Sequence, residues 1–391
     1  MPKEKHFSHT VPQKFVERLR GLQKNLRVLS SLLPARKLPL LTPAQAFGPD
    51  IERFRDSSQS LVAWWDKQSQ WWCFRGNLVT GRGRSLGFQL AFIDRHTQND
   101  FVGALPARWI TPRAFAAHLA ISDPMNGDTA KTFRVWQRGG LLSNSTGFAA
   151  DDRFHVELGG WYGFRRADGS ITLYAHGDGD SIHLELSELK PLAYHGQAGY
   201  NDGDGAAFYC SYPRLKTTGR VLLDGRLEEV TGLTWMDHEK LTGKESPFQG
   251  NWDRLLLQFS SGQDLMLFLV RGRSEAASGS WIDAQGNVKH LVASDIQVEN
   301  YEYWISPRTG ARYPIKRRVR IEPLELELEL KASLSNQEVD LTRSIFSSFW
   351  QGIVSVTGRY KGGELNGHGF MELAGHDQRR RAKVIEFLTK S

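Results

Sequence analysis

The sequence predicts a mostly β protein, an antiparallel sheet closed on itself or folded into a sandwich. Aromatic residues are plentiful (21 Phe, 12 Trp, 10 Tyr) beside 38 glycines, a mixture that suits short strands joined by tight turns. Turn signals recur between apolar runs at Asp168-Gly169, Asp224-Gly225, Ser261-Gly262, Gln285-Gly286 and Gly362-Gly363, the rhythm of a closed or sandwiched antiparallel sheet. Helical periodicity is confined to the two ends. With 391 residues, 40% of them hydrophobic, the chain is long enough for two domains or one large one.

The first element is a helix. Phe15, Leu19, Leu22, Leu26, Leu29 and Leu32 recur at three- and four-residue spacing among Lys14, Arg18, Arg20, Lys24 and Arg27, which makes a basic amphipathic stretch up to about Pro34. Such a helix either docks on its own protein or makes peripheral contact with an anionic membrane. After prolines 34, 39 and 43, strand patterns take over. Trp71 to Leu78 and Leu86 to Phe92 flank the Gly81-Arg82-Gly83 turn and read as a hairpin. Leu324 to Leu330 alternates leucine with glutamate, a strand with one buried and one wet face, and Arg318-Val319-Arg320-Ile321 alternates with the opposite charge. If the two lie side by side their charges pair, with little effect on stability. Arg379-Arg380-Arg381 and Lys383 close the chain as a basic helix or tail.

The net charge of +7 and the pI near 9.3 come largely from these basic ends. No basic stripe interleaved with aromatics runs through the interior, so nucleic acid is not an expected partner. Cys73 and Cys210 form at most one bridge, and no Cys-x-x-Cys pair occurs. The N-terminus lacks an apolar core with a cleavage site, and no run of eighteen apolar residues is present, so a cytoplasmic protein is expected, either free or membrane-associated through the N-terminal helix. Histidines 118, 176, 183, 195, 368 and 376 show no ligand spacing for zinc. No Gly-x-Ser-x-Gly elbow occurs, and Gly81-Arg82-Gly83-Arg84 is a hairpin turn, with no following helix to make a phosphate loop. Neither metal nor cofactor is expected.

Chemistry concentrates in Trp235-Met236-Asp237-His238-Glu239. On a strand Trp235, Asp237 and Glu239 share one face, and Met236 and His238 take the other. Two carboxylates beside an aromatic make an acid site if that face is enclosed. Phe208, Tyr209 and Tyr212 on the preceding strand pattern are candidates to line the same space. The alternative is structural: each carboxylate pairs with an Arg or Lys on a neighbouring strand and fixes a junction, with Trp235 as plain core.

Several motifs in order resemble the carotenoid 1,2-hydratase and AttH-like family. The resemblance runs from about Phe47 to Gly375. It rests on Trp71-Trp72-Cys73-Phe74-Arg75-Gly76-Asn77-Leu78, Ala117-His118-Leu119-Ala120-Ile121-Ser122-Asp123, Lys190-Pro191 with His195-Gly196, and Gly232 with Trp235 to Glu239. Asn251-Trp252-Asp253, Gln337-Glu338, Phe349-Trp350-Gln351-Gly352 and Gly367 to Leu373 complete it. Cys73 stands where relatives carry Tyr, and Gln351 where many carry Glu. The resemblance implies two lipocalin-like antiparallel β-barrels in tandem, at 46–239 and 240–378, between a helical leader at 1–45 and a tail at 379–391. Short helices are expected at both termini.

The resemblance also implies an acid-catalysed hydratase, a carbon–oxygen lyase acting on a carotenoid, another isoprenoid or some other lipophilic alkene. Hydration of an isolated alkene needs an acid to protonate one carbon, a stabilised cation and a placed water. Asp237 matches the family's acid, and it serves only if enclosure or a like charge raises its pKa. Glu239, about 7 Å along the strand, supplies that charge or orients the water, and Trp235 stabilises the cation. Trp71, Tyr209, His118 and His195 are the remaining ligand-lining candidates. The competing readings are a non-catalytic carrier of a lipophilic ligand and a cyclase that guides ring closure by shape.

Overall fold

A computed structural model describes residues 69–96, 101–102, 105–106, 113–127, 129–139, 148–149, 154–196, 200–201, 207–241, 251–271, 276–341 and 347–376. The expected terminal helices, including Phe15 to Leu32, lie outside the described residues. All described strands fall within one compact unit, Lys67–Ser391.

The expected hairpin opens the fold as β1 (Ser69–Thr80) and β2 (Ser85–His96), followed by a small ribbon of β3 (Phe101–Val102) and β4 (Leu105–Pro106). Then come β5 (Arg113–Ser122), β6 (Lys131–Gly139), β7 (Phe148–Ala149), β8 (His155–Leu158), β9 (Trp161–Arg165) and β10 (Ile171–Gly177). β11 (Asp180–Glu188), β12 (Ala193–Tyr194), β13 (Tyr200–Asn201), β14 (Ala207–Leu223) and β15 (Arg226–Leu241) complete the first half. Apart from the ribbon they form one antiparallel sheet, β6-β5-β2-β1-β15-β14-β11-β10-β9-β8-β7, with β12 and β13 paired to β14.

The second sheet begins with β16 (Trp252–Phe259), β17 (Asp264–Val270), β18 (Ala276–Ile282), β19 (Val288–Val292) and β20 (Ile296–Ile305). It continues with β21 (Arg312–Ile321), β22 (Leu326–Ala332), β23 (Glu338–Leu341), β24 (Ser347–Tyr360) and β25 (Gly363–Ala374). Its order is β19-β18-β17-β16-β25-β24-β22-β21-β20, with β23 on β24. β19 and β20 are opposite edges, yet only the 3₁₀ turn Ala293–Asp295 joins them. Val292 and Ile296 are therefore at most about 14 Å apart, and the sheet has to curl until its edges meet. In the first sheet Phe133 of β6 packs on Gly177 of β10, where a Cβ would lie 2.4 Å from the ring, so distant strands are again brought together. Among the described residues no ladder joins the edges of either sheet. The expected barrels are thus two curled antiparallel sheets, approached at their edges by side chains and a turn rather than closed by hydrogen bonds.

Each curl holds its own core. Trp72, Phe74, Phe88, Leu90, Leu119, Leu173, Leu184 and Met236 fill the first, and Leu255, Leu267, Tyr313, Leu328, Trp350 and Met371 the second. The turn signals mark hairpin connections as the sequence predicts; Asp224 and Gly225 take φ of 51° and 74°, the backbone of a two-residue type I′ turn. The Leu-Glu strand is shorter than expected. Pro323 places Glu322–Leu324 in a 3₁₀ turn and Glu325 is left-handed, so the strand starts at Leu326. Its register with β21 sets Arg318 against Glu329 and Arg320 against Glu327, and Arg320 reaches Glu327 at 3.0 Å on the exposed side.

The cysteines do not bridge. Cys73 is paired with Asp237 and Cys210 with His238 across β15, so they stand on opposite faces of the sheet, and both are free.

The sheets meet through the outer faces of their central strands. β1 lies over β25 and β15 over β16, where Arg75 reaches Glu372 and Arg254 reaches Glu239. Near β14, Arg214 and Lys190 hold Asp264 of β17. β5 and β2 lie over β24: Ser122 donates to Gln337, His118 meets Phe349, and Gly87 admits Ile353. Gly232, just upstream of the acidic run, is fixed by backbone, since a Cβ there would lie 2.1 Å from the Asn77 carbonyl oxygen on β1. Backbone in a ladder cannot step aside, so Gly232→Ala is expected to destabilise by about 1–3 kcal/mol, measured as a lower urea midpoint with an unchanged slope.

Candidate functional site

The alternation of β15 turns Trp235, Asp237 and Glu239 toward the second sheet and Met236 and His238 into the first core. His238 stacks on Trp72 with ring centroids 5.2 Å apart, and burial, followed by the nearby Lys240, brings its pKa down to about 4. The predicted division of faces is therefore what the strand adopts.

Asp237 is completely buried. Its Oδ1 accepts from Ser211 Oγ at 2.6 Å, Trp235 Nε1 at 2.7 Å and Tyr209 OH at 3.1 Å, and its Oδ2 from Arg75 Nη1 at 2.5 Å. Arg75 extends its other nitrogen 2.8 Å to Glu372 on β25. Arg254 of β16 binds Glu239 at 2.6 Å and stands 3.6 Å from Asp237 and 4.0 Å from Glu372. Rings of Tyr209, Trp252 and Phe268 surround the Arg254 guanidinium at 4.9, 5.3 and 5.5 Å. Three carboxylates and two guanidiniums from both sheets thus form one buried ionic layer.

Burial pushes the Asp237 carboxyl up, but Arg75 and Arg254, then the bonds from Ser211 and Trp235, outweigh it and hold the group below the usual carboxylate range. Asp237 is ionised at neutral pH. The condition under which it would serve as the proton donor, a raised pKa, is not met in this arrangement, because two guanidiniums and three neutral donors favour the charged form. For Arg254, burial acts to lower the pKa, and Glu239, Tyr209, Glu372 and Asp237 more than reverse this.

Behind Asp237 runs a hydrogen-bonded chain. His195 sits between Ser211 Oγ, 2.8 Å from Nε2, and Ser280 Oγ, 2.9 Å from Nδ1. Burial brings its pKa down to about 3, against the pull of Asp237, so it is a neutral connector linking β14 to β18. Cys73 faces the same layer, and burial pushes its thiol up to about 12.

Seven of the residues singled out in the sequence, Trp71, His118, His195, Tyr209, Trp235, Asp237 and Glu239, are buried. His195, Tyr209, Trp235, Asp237 and Glu239 belong to the layer. His118 packs on Phe349 across the junction, with centroids 5.9 Å apart, and Trp71 clusters with Cys73, Ala91, Ile93 and Ala116. Tyr212 falls on the other face, against the first core, because it shares the register of Met236. The side chain of Phe208 lies outside the described residues. The sequence reading assigned no role to Arg75, Arg254, Glu372, Ser211 or Ser280. Arg75 follows Trp71 and Cys73 at alternate spacing, and Glu372 follows Phe370, so each could have been placed on the face of its strand; the pairing between sheets could not.

Among the described residues no group of three or more His, Cys, Asp and Glu is arranged to hold a metal ion. A groove of about 500 Å³ crosses the outer face of the second sheet between Arg318, Glu327, Arg359 and Glu364. It is open and lies on the charged face of β21, β22, β24 and β25, away from the ionic layer.

Two curled antiparallel sheets joined back to back through their outer faces define a tandem lipocalin-like protein. A family model described as AttH-like matches residues 60–376, most of the chain, and the protein belongs to the AttH-like family. Among solved structures, a Nitrosomonas europaea protein assigned to AttH is 26% identical with a TM-score of 0.68, over 88% of this chain and 99% of that one. Kievitone hydratase from Nectria haematococca superposes with a TM-score of 0.62 at 14% identity, over 78% of this chain and 89% of that one. None of the curated proteins compared with the chain matches it in sequence.

Proposed function

We propose that this protein is a hydratase-type lyase that adds water to an isolated alkene of a lipophilic, isoprenoid-like molecule at the junction of the two sheets. The observation that carries this reading is the charge balance of the ionic layer. Three carboxylates against two guanidiniums leave one negative charge in excess, among side chains that are all buried. Such a layer favours a cationic carbon beside it, and the ring faces of Trp252, Phe268 and Tyr209 favour the same charge. The reaction class is also that named for kievitone hydratase, which shares the fold.

Asp237 acts in this reading as the permanent anion that organises Ser211, Tyr209, Trp235 and Arg75. The proton is assigned to the Glu239 and Glu372 side of the layer, whose side chains keep 8% and 10% exposure against none for Asp237. A carboxylic acid there gives its proton to the less substituted alkene carbon. Water bonds to the tertiary cation, and the water's proton returns to the carboxylate. Glu239→Gln and Glu372→Gln are expected to leave the circular dichroism spectrum unchanged, and one of them to slow hydration of a panel of linear isoprenoids and prenylated phenols by about 10²–10⁴-fold. Wild-type rates in both variants, or no hydration of any panel member by the wild type, sink the reading.

The complete pairing of Asp237 favours a second reading, a carrier or shape-guided cyclase in which the layer only ties the sheets together. Native mass spectrometry of protein from its host separates the two. An unaltered bound lipid, unaffected by Glu239→Gln and Glu372→Gln, marks a carrier.

A further inference from the structure

Two buried amides flank the Arg75–Glu372 bridge. Gln89 stands opposite Arg75 on β2, and Gln351 stands opposite Glu372 on β24. Each is 2% exposed, and neither Oε1 nor Nε2 of either residue meets a hydrogen-bond partner among the described residues. Buried polar side chains are nearly always bonded, so four unmatched atoms in two residues are a strong departure.

The way the sheets stack sets these amides against each other. Arg75 touches Glu372 at 2.8 Å across the junction, and β2 lies over β24, where Gly87 receives Ile353. The residues next to Arg75 and Glu372 in the same rows therefore face one another. The flanking positions on the first sheet, Ala91 and Ala120, are short and buried.

A partner for these amides has to accept from Nε2 and donate to Oε1. A carboxylate or phosphate cannot donate when ionised, and the excess negative charge of the neighbouring layer disfavours it. An ammonium cannot accept. A neutral hydroxyl oxygen does both.

We propose that Gln89 and Gln351 together bind a neutral hydroxyl oxygen, and that this is the water consumed in hydration. This rests on the lyase reading above. When the alkene carbon takes the proton from the carboxylic acid, the oxygen held by the amides bonds to the cationic carbon and loses one proton to the carboxylate, leaving the alcohol. The amides place the oxygen and exchange no proton themselves.

The test uses Gln89→Met and Gln351→Met in the full chain, since methionine keeps the length of the side chain without its polar end. A crystal structure of the wild type is expected to show a solvent oxygen within hydrogen-bond distance of both amides, absent in the double variant. Because no bond to protein is lost, each variant is expected to melt at or above the wild-type temperature. Hydration of the isoprenoid panel is expected to fall at least 10-fold in kcat with KM unchanged, a split that a merely structural role does not produce. The proposal is overturned by wild-type amides that bond only to protein, by variants that melt several degrees lower, or by an unchanged kcat. If the wild type hydrates nothing while the oxygen and the melting result stand, the lyase reading falls and the oxygen is a fixed structural water rather than a reactant. If Glu239→Gln or Glu372→Gln abolishes hydration while both methionine variants retain it, the lyase reading stands and the role of the amides falls.

Discussion

Replacing Arg254 by methionine is expected to lower the melting temperature at pH 7 by about 10 °C, the largest loss for any single residue of the ionic layer. Arg254 is the group that stands within 4.0 Å of all three carboxylates. Without it, three buried carboxylates face Arg75 alone, and an uncompensated buried charge costs about 3–5 kcal/mol, with each kcal/mol worth roughly 2–4 °C in a domain of this size. Methionine preserves contact with the rings of Trp252 and Phe268, so the loss reports charge rather than packing. Asp237→Asn is expected to do less harm, because it leaves two cations against two anions. Adding Glu239→Gln to Arg254→Met is expected to recover part of the loss, a coupling read from the double-mutant cycle. An Arg254→Met protein that melts within about 2 °C of the wild type contradicts this account of the junction.

Acid is expected to weaken the fold from about pH 6.5 downward, before its carboxylates titrate. His195 and His238 are neutral in the folded protein, with pKa values near 3 and 4, whereas an unfolded chain takes up those protons near pH 6.5. Between these limits the unfolded state binds more protons, so stability is fully present above about pH 6.5 and declines as pH falls. The decline attributable to His238 ends near pH 4 and that of His195 near pH 3. For His195 the full effect is on the order of 5 kcal/mol. Asp237 works in a lower window. Its folded value is depressed, so its contribution holds above about pH 4 and fades only below. Urea midpoints measured from pH 7.5 to 4.5 test this, with His195→Gln reducing the slope. Equal midpoints at pH 7 and pH 5 contradict it.

Much of the fold was legible because strands announce themselves by alternation and hairpins by their turns. Trp71 to Leu78, its partner Leu86 to Phe92, and Asp224-Gly225 needed no tertiary information. The same alternation sorted Trp235, Asp237 and Glu239 from Met236 and His238. What alternation cannot give is the partner across a junction. Arg75 reaches Asp237 along the β1–β15 ladder, from 162 positions away in sequence, and Arg254 reaches it only through the stacking of β15 on β16. The protonation state of Asp237 followed the same limit: enclosure was inferable, whereas the groups that decide its charge, Arg75, Arg254, Ser211 and Trp235, come from β1, β16, β14 and β15 together. The Leu324 start of the leucine-glutamate strand failed for a local reason, since Pro323 and a left-handed Glu325 bend the chain before the ladder begins.

The ionic layer has a consequence for the order of assembly. Each sheet has its own core and its hairpins are local, so each can collapse while its outer face is still wet. Arg75, Asp237 and Glu239 belong to one sheet and Arg254 and Glu372 to the other, hence neither half can shed the water around these groups until both surfaces are complete. Joining the halves then completes the layer and is expected to be sensitive to ionic strength. A chain stalled before it exposes two mixed faces, on which these charges stand among Trp235, Trp252, Leu256, Met266 and Phe349.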